Sequence, residues 1–201
     1  MAAFLPDLPR LMPLAALCCA FAVLAAEPAA LDIEAGSLQV DTAANRLLLR
    51  PVEIRQGAMS IRAEEAWVNG VEVNFSNTEW RFSGAVHITF EGGELDASEA
   101  TAKFVANRLQ NAHVTGAPAT FAQPGTDGAP ASRGRATTID YDVPQSRVRL
   151  TGDVWFTDGR GEFATRAPLT YSLTDRSVSS ERVQIRILPE AVPEALRKAQ
   201  P

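Results

Sequence analysis

The side chains that most often serve catalysis or metal binding are few in this sequence and widely spaced. Only two histidines occur, His87 and His113, and neither has a cysteine or carboxylate at the spacing of a metal-ligand motif. Asp140 and Asp142 point to the same polar face of an alternating segment, which lacks the cleft that an acid–base pair needs. No Gly-x-Ser-x-Gly or Gly-x-Gly-x-x-Gly motif occurs. We therefore expect no catalytic residue, no metal site and no cofactor, and we expect that the chain is not an enzyme.

The charge pattern argues against nucleic acid as a partner. The 201 residues include 19 basic and 24 acidic side chains, which gives a net charge of −5. Both signs are interspersed and no basic block occurs, whereas binding to phosphates depends on clustered Lys and Arg.

The first 26 residues have the composition of a secretory signal. Arg10 precedes an apolar run from Leu11 to Ala25, which ends in small residues. We expect residues 1–26 to form a signal helix that is cleaved on export to the periplasm. The only cysteines, Cys18 and Cys19, would leave with it, so the exported domain would have to be stable without disulfides.

The rest of the chain alternates apolar and polar residues in short segments. Val148 and Leu150 alternate with Arg147 and Arg149, and the same pattern continues through residues 151–171. Successive side chains of a strand point to opposite faces, so these segments predict half-buried antiparallel strands. Clusters of Pro, Gly, Ser and Asp between the segments are typical of tight turns.

A repeat of a little over thirty residues organises these strands. Gly84, Gly116 and Gly152 each follow an apolar residue and a Ser or Thr, and they lie 32 and 36 residues apart. Glycine at repeated positions allows strands to bend or bulge at a corner. We therefore predict an all-β fold, an elongated and twisted β-jelly roll of about sixteen consecutive antiparallel strands over residues 27–188, with a flexible tail at residues 189–201.

The apolar residues at alternate positions of the strands share one face and predict one continuous apolar interior. Its function remains open at this point, since the same face fits either a filled core or a groove open along one side that holds lipid tails. The predicted interior consists of Phe82, Val86, Ile88, Phe90, Phe104, Phe121, Ile139, Tyr141, Val154, Phe156, Leu169 and Tyr171.

Several motifs of residues 114–180 resemble a known family. Gly-Arg-Ala at 134–136, Ile-Asp-Tyr-Asp at 139–142 and Thr-Gly-Asp-Val at 151–154 are similar in type and spacing to the OstA-like family, in particular its periplasmic lipopolysaccharide-transport bridge proteins (LptA type). The resemblance extends over about residues 31–188.

The resemblance implies a non-enzymatic periplasmic carrier. Such a protein binds the lipid A acyl chains of lipopolysaccharide in its interior and bridges related jelly-roll domains of inner- and outer-membrane transport proteins. The positions that match the family's lining are Val52, Ile54, Ile61, Phe121, Ile139, Tyr141, Leu150, Val154, Phe156, Leu169 and Tyr171.

The first and last strands predict a way of assembling. A rolled sheet leaves edges at Leu31 and Ile33 and at Val183 and Ile185, where another strand can pair. Head-to-tail pairing of this kind does not close, so we expect a homo-oligomer that extends as a filament.

Two alternatives remain beside the bridge. The first is a relative in the same pathway that keeps its N-terminal segment as an inner-membrane anchor. The second is a structural β-repeat protein with a filled interior, which binds partners only by strand-edge pairing.

Overall fold

The computed structural model describes residues 30–70, 75–126 and 128–187. The expected signal segment and the expected tail at 189–201 lie outside these residues. Among the described residues no helix is long and apolar enough to cross a membrane.

The described residues form fourteen strands, all paired antiparallel. In chain order they are β1 (Asp32–Asp41), β2 (Arg46–Gln56), β3 (Met59–Ala63), β4 (Glu65–Asn69), β5 (Asn77–Phe90), β6 (Gly93–Val105), β7 (Arg108–Gln123), β8 (Ser132–Asp142), β9 (Arg147–Thr151), β10 (Val154–Thr157), β11 (Gly161–Thr165), β12 (Leu169–Ser172), β13 (Val178–Ser180) and β14 (Gln184–Ile187). The predicted all-β antiparallel architecture is confirmed.

The sheet is folded along a line that crosses the middle of its long strands. The first half of β2 pairs with β4 and its second half pairs with β3. The first half of β5 likewise pairs with β4 and its second half with β3. We call the half that contains β4, β9, β12 and β13 arm A, and the half that contains β3, β10, β11 and β14 arm B. The two arms lie face to face and bury a single apolar core.

Glycines with positive φ form the bend at two repeat positions. Gly84 (φ +77°) is followed by a second left-handed residue, and its carbonyl accepts a hydrogen bond of 2.9 Å from the Glu64 amide. Gly152 (φ +79°) repeats this arrangement with Thr137, also at 2.9 Å. A Cβ on Gly84 would lie 2.4–2.8 Å from the Glu64 side chain, so glycine is required there for both conformation and space. The role predicted for these glycines, at strand corners, is confirmed.

The start of the domain differs from the sequence-based expectation. The apolar–polar alternation of residues 31–41 is interrupted at Ala35-Gly36, which predicts two short strands joined there, but β1 is one continuous strand whose residues Ala35 and Ser37 pair with Val52 and Arg50. Gly36 lies opposite Pro51 and so close to its ring that an added Cβ would sit 2.7 Å away. Proline has no backbone N–H to donate, so Gly36 and Pro51 do not form a hydrogen-bonded pair, while β1 continues on both sides. Merging such segments helps to explain why fourteen strands are described instead of about sixteen.

Candidate functional site

The fifteen side chains predicted to line the interior all belong to the buried core between the arms. None is more than 6% exposed, and they form one continuous cluster. They are Val52, Ile54, Ile61, Val86, Ile88, Phe90, Phe104, Phe121, Ile139, Tyr141, Leu150, Val154, Phe156, Leu169 and Tyr171.

Where aromatic rings meet in both halves of the roll, the interior is filled by its own side chains. In the C-terminal half the Tyr171 ring of arm A lies 5.6 Å from Phe121 and 4.9 Å from Phe156, both of arm B. In the N-terminal half Phe75 stacks on Trp80 with ring centroids 4.7 Å apart. Access of a ligand to this space therefore requires the arms or these rings to move.

A small polar network is buried among the aromatic rings. Tyr171 Oη donates to Gln123 Oε1 at 2.5 Å and lies 3.0 Å from Ser132 Oγ. The tyrosine proton is used by Gln123, so the Ser132 hydroxyl is the donor to Tyr171. Gln123 Nε2 donates in turn to the Leu173 carbonyl at 3.2 Å. Alternation predicts the interior position of Tyr171 but not the network, because its members lie in the three strands β7, β8 and β12 and in the turn after β12.

The turns of the two arms meet along a line opposite the bend, which we call the seam. Three contacts cross it at nearly equal sequence separations of 51, 51 and 50 residues. Gln56 Nε2 donates to the Asn107 carbonyl at 2.8 Å, and Gln123 Nε2 donates to the Leu173 carbonyl. Between them the rings of Phe90 and Tyr141 stack with centroids 4.3 Å apart. The seam thus follows the repeat of the sequence, with polar contacts at its ends and an aromatic pair in the middle.

An arginine adds a second closure at the C-terminal end of the seam. The Arg176 guanidinium, from the β12–β13 turn, donates to the carbonyls of Pro130 (2.7 Å) and Pro124 on the β7–β8 loop. The backbone of Arg176 is itself left-handed (φ +54°).

A cleft of about 530 Å³ opens to solvent along the seam, and residues of all three seam contacts line it. Phe90, Leu109 and Tyr141 are among its apolar lining residues, and Gln56 and Arg108 are among its polar ones. Burial raises the pKa of the Tyr141 hydroxyl above its ordinary value, and the negative charges of Glu91 and Asp142 act in the same direction.

Both ends of the roll expose side chains that face the interior. Leu38 and Val40 pair across from Leu49 and Leu47 of the core, yet they are 59% and 45% exposed. At the other end Ile185 and Ile187 of β14 are 57% and 68% exposed. The apolar interior therefore continues to the surface at each end.

The residues predicted to mediate edge pairing lie at these ends. β1 pairs only with β2 and β14 only with β11 among the described strands, so each leaves one backbone edge unpaired by them. Ile33 lies in β1 and Ile185 in β14, while Leu31 and Val183 directly precede those strands. Whether these edges bind a partner stays a prediction.

The histidines have carboxylate partners that the sequence did not suggest. His87 Nδ1 lies 2.7 Å from Asp96 Oδ1, and His113 Nδ1 lies 2.6 Å from Asp140 Oδ1. Each pair joins neighbouring strands on the outer face, so linear spacing could not show it. The described residues contain no group of three or more potential metal ligands.

Comparison with known proteins finds a family whose model matches most of the chain and a solved structure with a similar fold. The family model described as "LptA/(LptD N-terminal domain) LPS transport protein" matches residues 32–174. The fold is similar to the crystal structure of LptH from Pseudomonas aeruginosa, described as the LptA-homologous periplasmic component of the conserved lipopolysaccharide transport device. The two are 18% identical, the match covers 80% of this chain and 96% of that chain, and the TM-score is 0.50. A comparison with curated proteins finds no match.

Proposed function

This chain belongs to the LptA/LptD N-terminal-domain family of lipopolysaccharide transport proteins, and we propose that it is a non-enzymatic periplasmic carrier of the lipid A acyl chains. The observation that carries the proposal is the apolar interior that runs between the arms and reaches the surface at both ends. An acyl chain placed there would be shielded from water, while sugar and phosphate groups could stay outside.

Transfer energies make such binding favourable even though the interior is filled. Burial of a methylene contributes about 0.8 kcal/mol, so a chain of about a dozen methylenes gains roughly 10 kcal/mol as an upper bound. Side chains displaced from the core would contact the acyl chain instead of water. The net cost of opening is therefore mainly that of the seam contacts and of reorganised packing.

The two ends support a bridging role through head-to-tail assembly. Interior-facing Leu38 and Val40 at one end, and Ile185 and Ile187 at the other, could continue a single apolar path from copy to copy. The edge strands themselves also differ in charge, because β1 carries Asp32, Glu34 and Asp41 and no basic residue, whereas Arg186 is the one charged residue of β14. Opposite charges favour contact between unlike ends over contact between like ends.

A site-specific photo-crosslinker tests the carrier directly. We expect a benzophenone side chain at Phe121 or Tyr141 to capture lipopolysaccharide in cells, because both positions face the interior. The matched control is Arg149, an exposed residue on the outer face of β9. Capture at Arg149 alone, or at none of the three positions, would contradict the proposal.

The filled interior also favours a second candidate, a structural β-repeat protein that binds partners only by its edges. This function predicts no lipid capture at Phe121, together with loss of assembly when Ile185→Asp charges the β14 edge. Both functions expect this loss of assembly, so analytical ultracentrifugation of the variant tests edge pairing itself, and lipid capture at Phe121 is the result that separates the two functions.

The periplasmic location and the cleaved signal are part of the proposal. Residues 1–29 lie outside the described structure, so the test is chemical: the N-terminal sequence of protein purified from the periplasmic fraction should begin near residue 27. A membrane-bound protein that retains residue 1 would favour the anchored relative.

A further inference from the structure

The middle contact of the seam differs in kind from the contacts on either side of it. At equivalent repeat positions the flanking closures are amide-to-carbonyl hydrogen bonds, from Gln56 and from Gln123. The central closure is the stacked pair Phe90–Tyr141, whose rings are 28° from parallel. A hydrogen bond that opens leaves a donor and an acceptor in need of new partners, whereas separated rings only need another apolar surface.

The cleft runs along the seam and past this pair, and fully buried side chains lie behind the pair. Phe90 and Tyr141 both line the cleft. Two residues before each ring in the same strand, and on the same face, are Ile88 and Ile139, which are fully buried. The rings therefore separate a solvent-open cleft from the apolar core by one layer of side chains.

The lining of the cleft fits one acyl chain that remains attached to a polar group. Leu109 and Leu173 give it apolar walls, and Gln56 and Arg108 supply polar groups. An acyl chain that passes the rings would keep apolar contacts throughout, while its polar group would stay beside hydrated side chains.

We propose that Phe90 and Tyr141 form a side gate through which a single acyl chain passes between the cleft and the interior, so that loading does not require the ends of the roll. This inference rests on the proposed carrier function. The gate opens by rotation of two side chains, and the flanking hydrogen bonds at Gln56 and Gln123 hold the arms together while it does so.

A reversible crosslink tests the gate. The double variant Phe90→Cys/Tyr141→Cys, in a chain with Cys18→Ser and Cys19→Ser, is joined by a short bis-methanethiosulfonate reagent and later released with a reductant. Uptake of a fatty acid that carries an environment-sensitive fluorophore is followed by stopped flow. We expect the joined protein to take up this probe at least about tenfold more slowly than the same protein after reduction.

The matched control is the next seam position, Gln56→Cys/Asn107→Cys, joined by the same reagent. It holds the arms together but leaves the rings free, so we expect its uptake rate to change by less than about twofold. Equal slowing of both pairs would overturn the gate in favour of opening of the whole seam. Slowing of neither pair would overturn it in favour of loading through the ends. Absence of probe uptake by the reduced protein and by the unmodified chain would instead contradict the carrier function itself.

Discussion

The buried hydroxyl of Tyr171 gives the most direct test of how the interior is held together. In Tyr171→Phe the ring remains, but Gln123 Oε1 and Ser132 Oγ lose their partner while both residues stay buried. A buried polar group left without a hydrogen bond costs about 1–3 kcal/mol. Because Gln123 retains its bond to the Leu173 carbonyl, we expect a loss of about 2 kcal/mol in the free energy of unfolding.

The assay is urea unfolding followed by far-UV circular dichroism, with a thermal scan beside it. For a domain of this size about 2 kcal/mol corresponds to a fall in Tm of roughly 4–8 °C. The chain contains only two tyrosines, so Tyr141→Phe is a matched control. The Tyr141 ring is also buried, but its hydroxyl hydrogen-bonds to none of the described residues and lines the open cleft. We expect this control to change stability by less than about 0.5 kcal/mol.

A double-mutant cycle of Tyr171→Phe with Ser132→Ala tests whether the two residues act as one network. Because the serine and the tyrosine belong to one network, the double variant should cost less than the sum of the two single variants. Additive effects, or equal stability of Tyr171→Phe and Tyr141→Phe, would show that the network does not contribute to holding the arms together.

The other predictions concern pH, the bend and the seam. The pKa of Tyr141 is raised in the folded state, so the unfolded chain ionises first and stability should be lost as the pH rises above about 10, the ordinary tyrosine value. Denaturation at pH about 9 and about 11 should show a smaller loss in Tyr141→Phe. Gly84→Ala should be less stable than Gly128→Ala by at least about 1 kcal/mol in urea unfolding, because both have positive φ but only Gly84 has a neighbouring side chain in the way of a Cβ. Arg176→Gln removes two hydrogen bonds across the seam and should increase backbone amide exchange in the β7–β8 loop, measured by mass spectrometry, while exchange at Ile61 stays unchanged as the internal control.

Alternation along the chain was sufficient to predict that the fifteen named interior side chains are buried. Within one arm of a strand the parity is constant, so short runs such as Val52-x-Ile54 and Val154-x-Phe156 identify their inward face without knowledge of the fold. Gly84 and Gly152 likewise predicted the bend, since positive φ and lack of space restrict these two positions to glycine.

The seam could not be predicted in the same way. Its contacts join residues about fifty positions apart, and several acceptors are backbone carbonyls, as for Gln56 and Arg176. Every residue has a backbone carbonyl, so the sequence does not indicate which carbonyl accepts a side-chain hydrogen bond. Alternation likewise does not show whether the interior is filled, because packing of Tyr171 against Phe121 depends on how closely the arms approach each other.

The alternation of inward and outward residues restarts at the bend. In β2 the inward residues before the corner have odd numbers, Leu47 and Leu49, and those after it have even numbers, Val52 and Ile54. Insertion or deletion of one residue at the corner would therefore leave the inward faces of both arms unchanged. The same change within an arm would move the inward side chains of the rest of that half-strand to the outer face. Lineages of this domain should accordingly differ in length at the corners and turns.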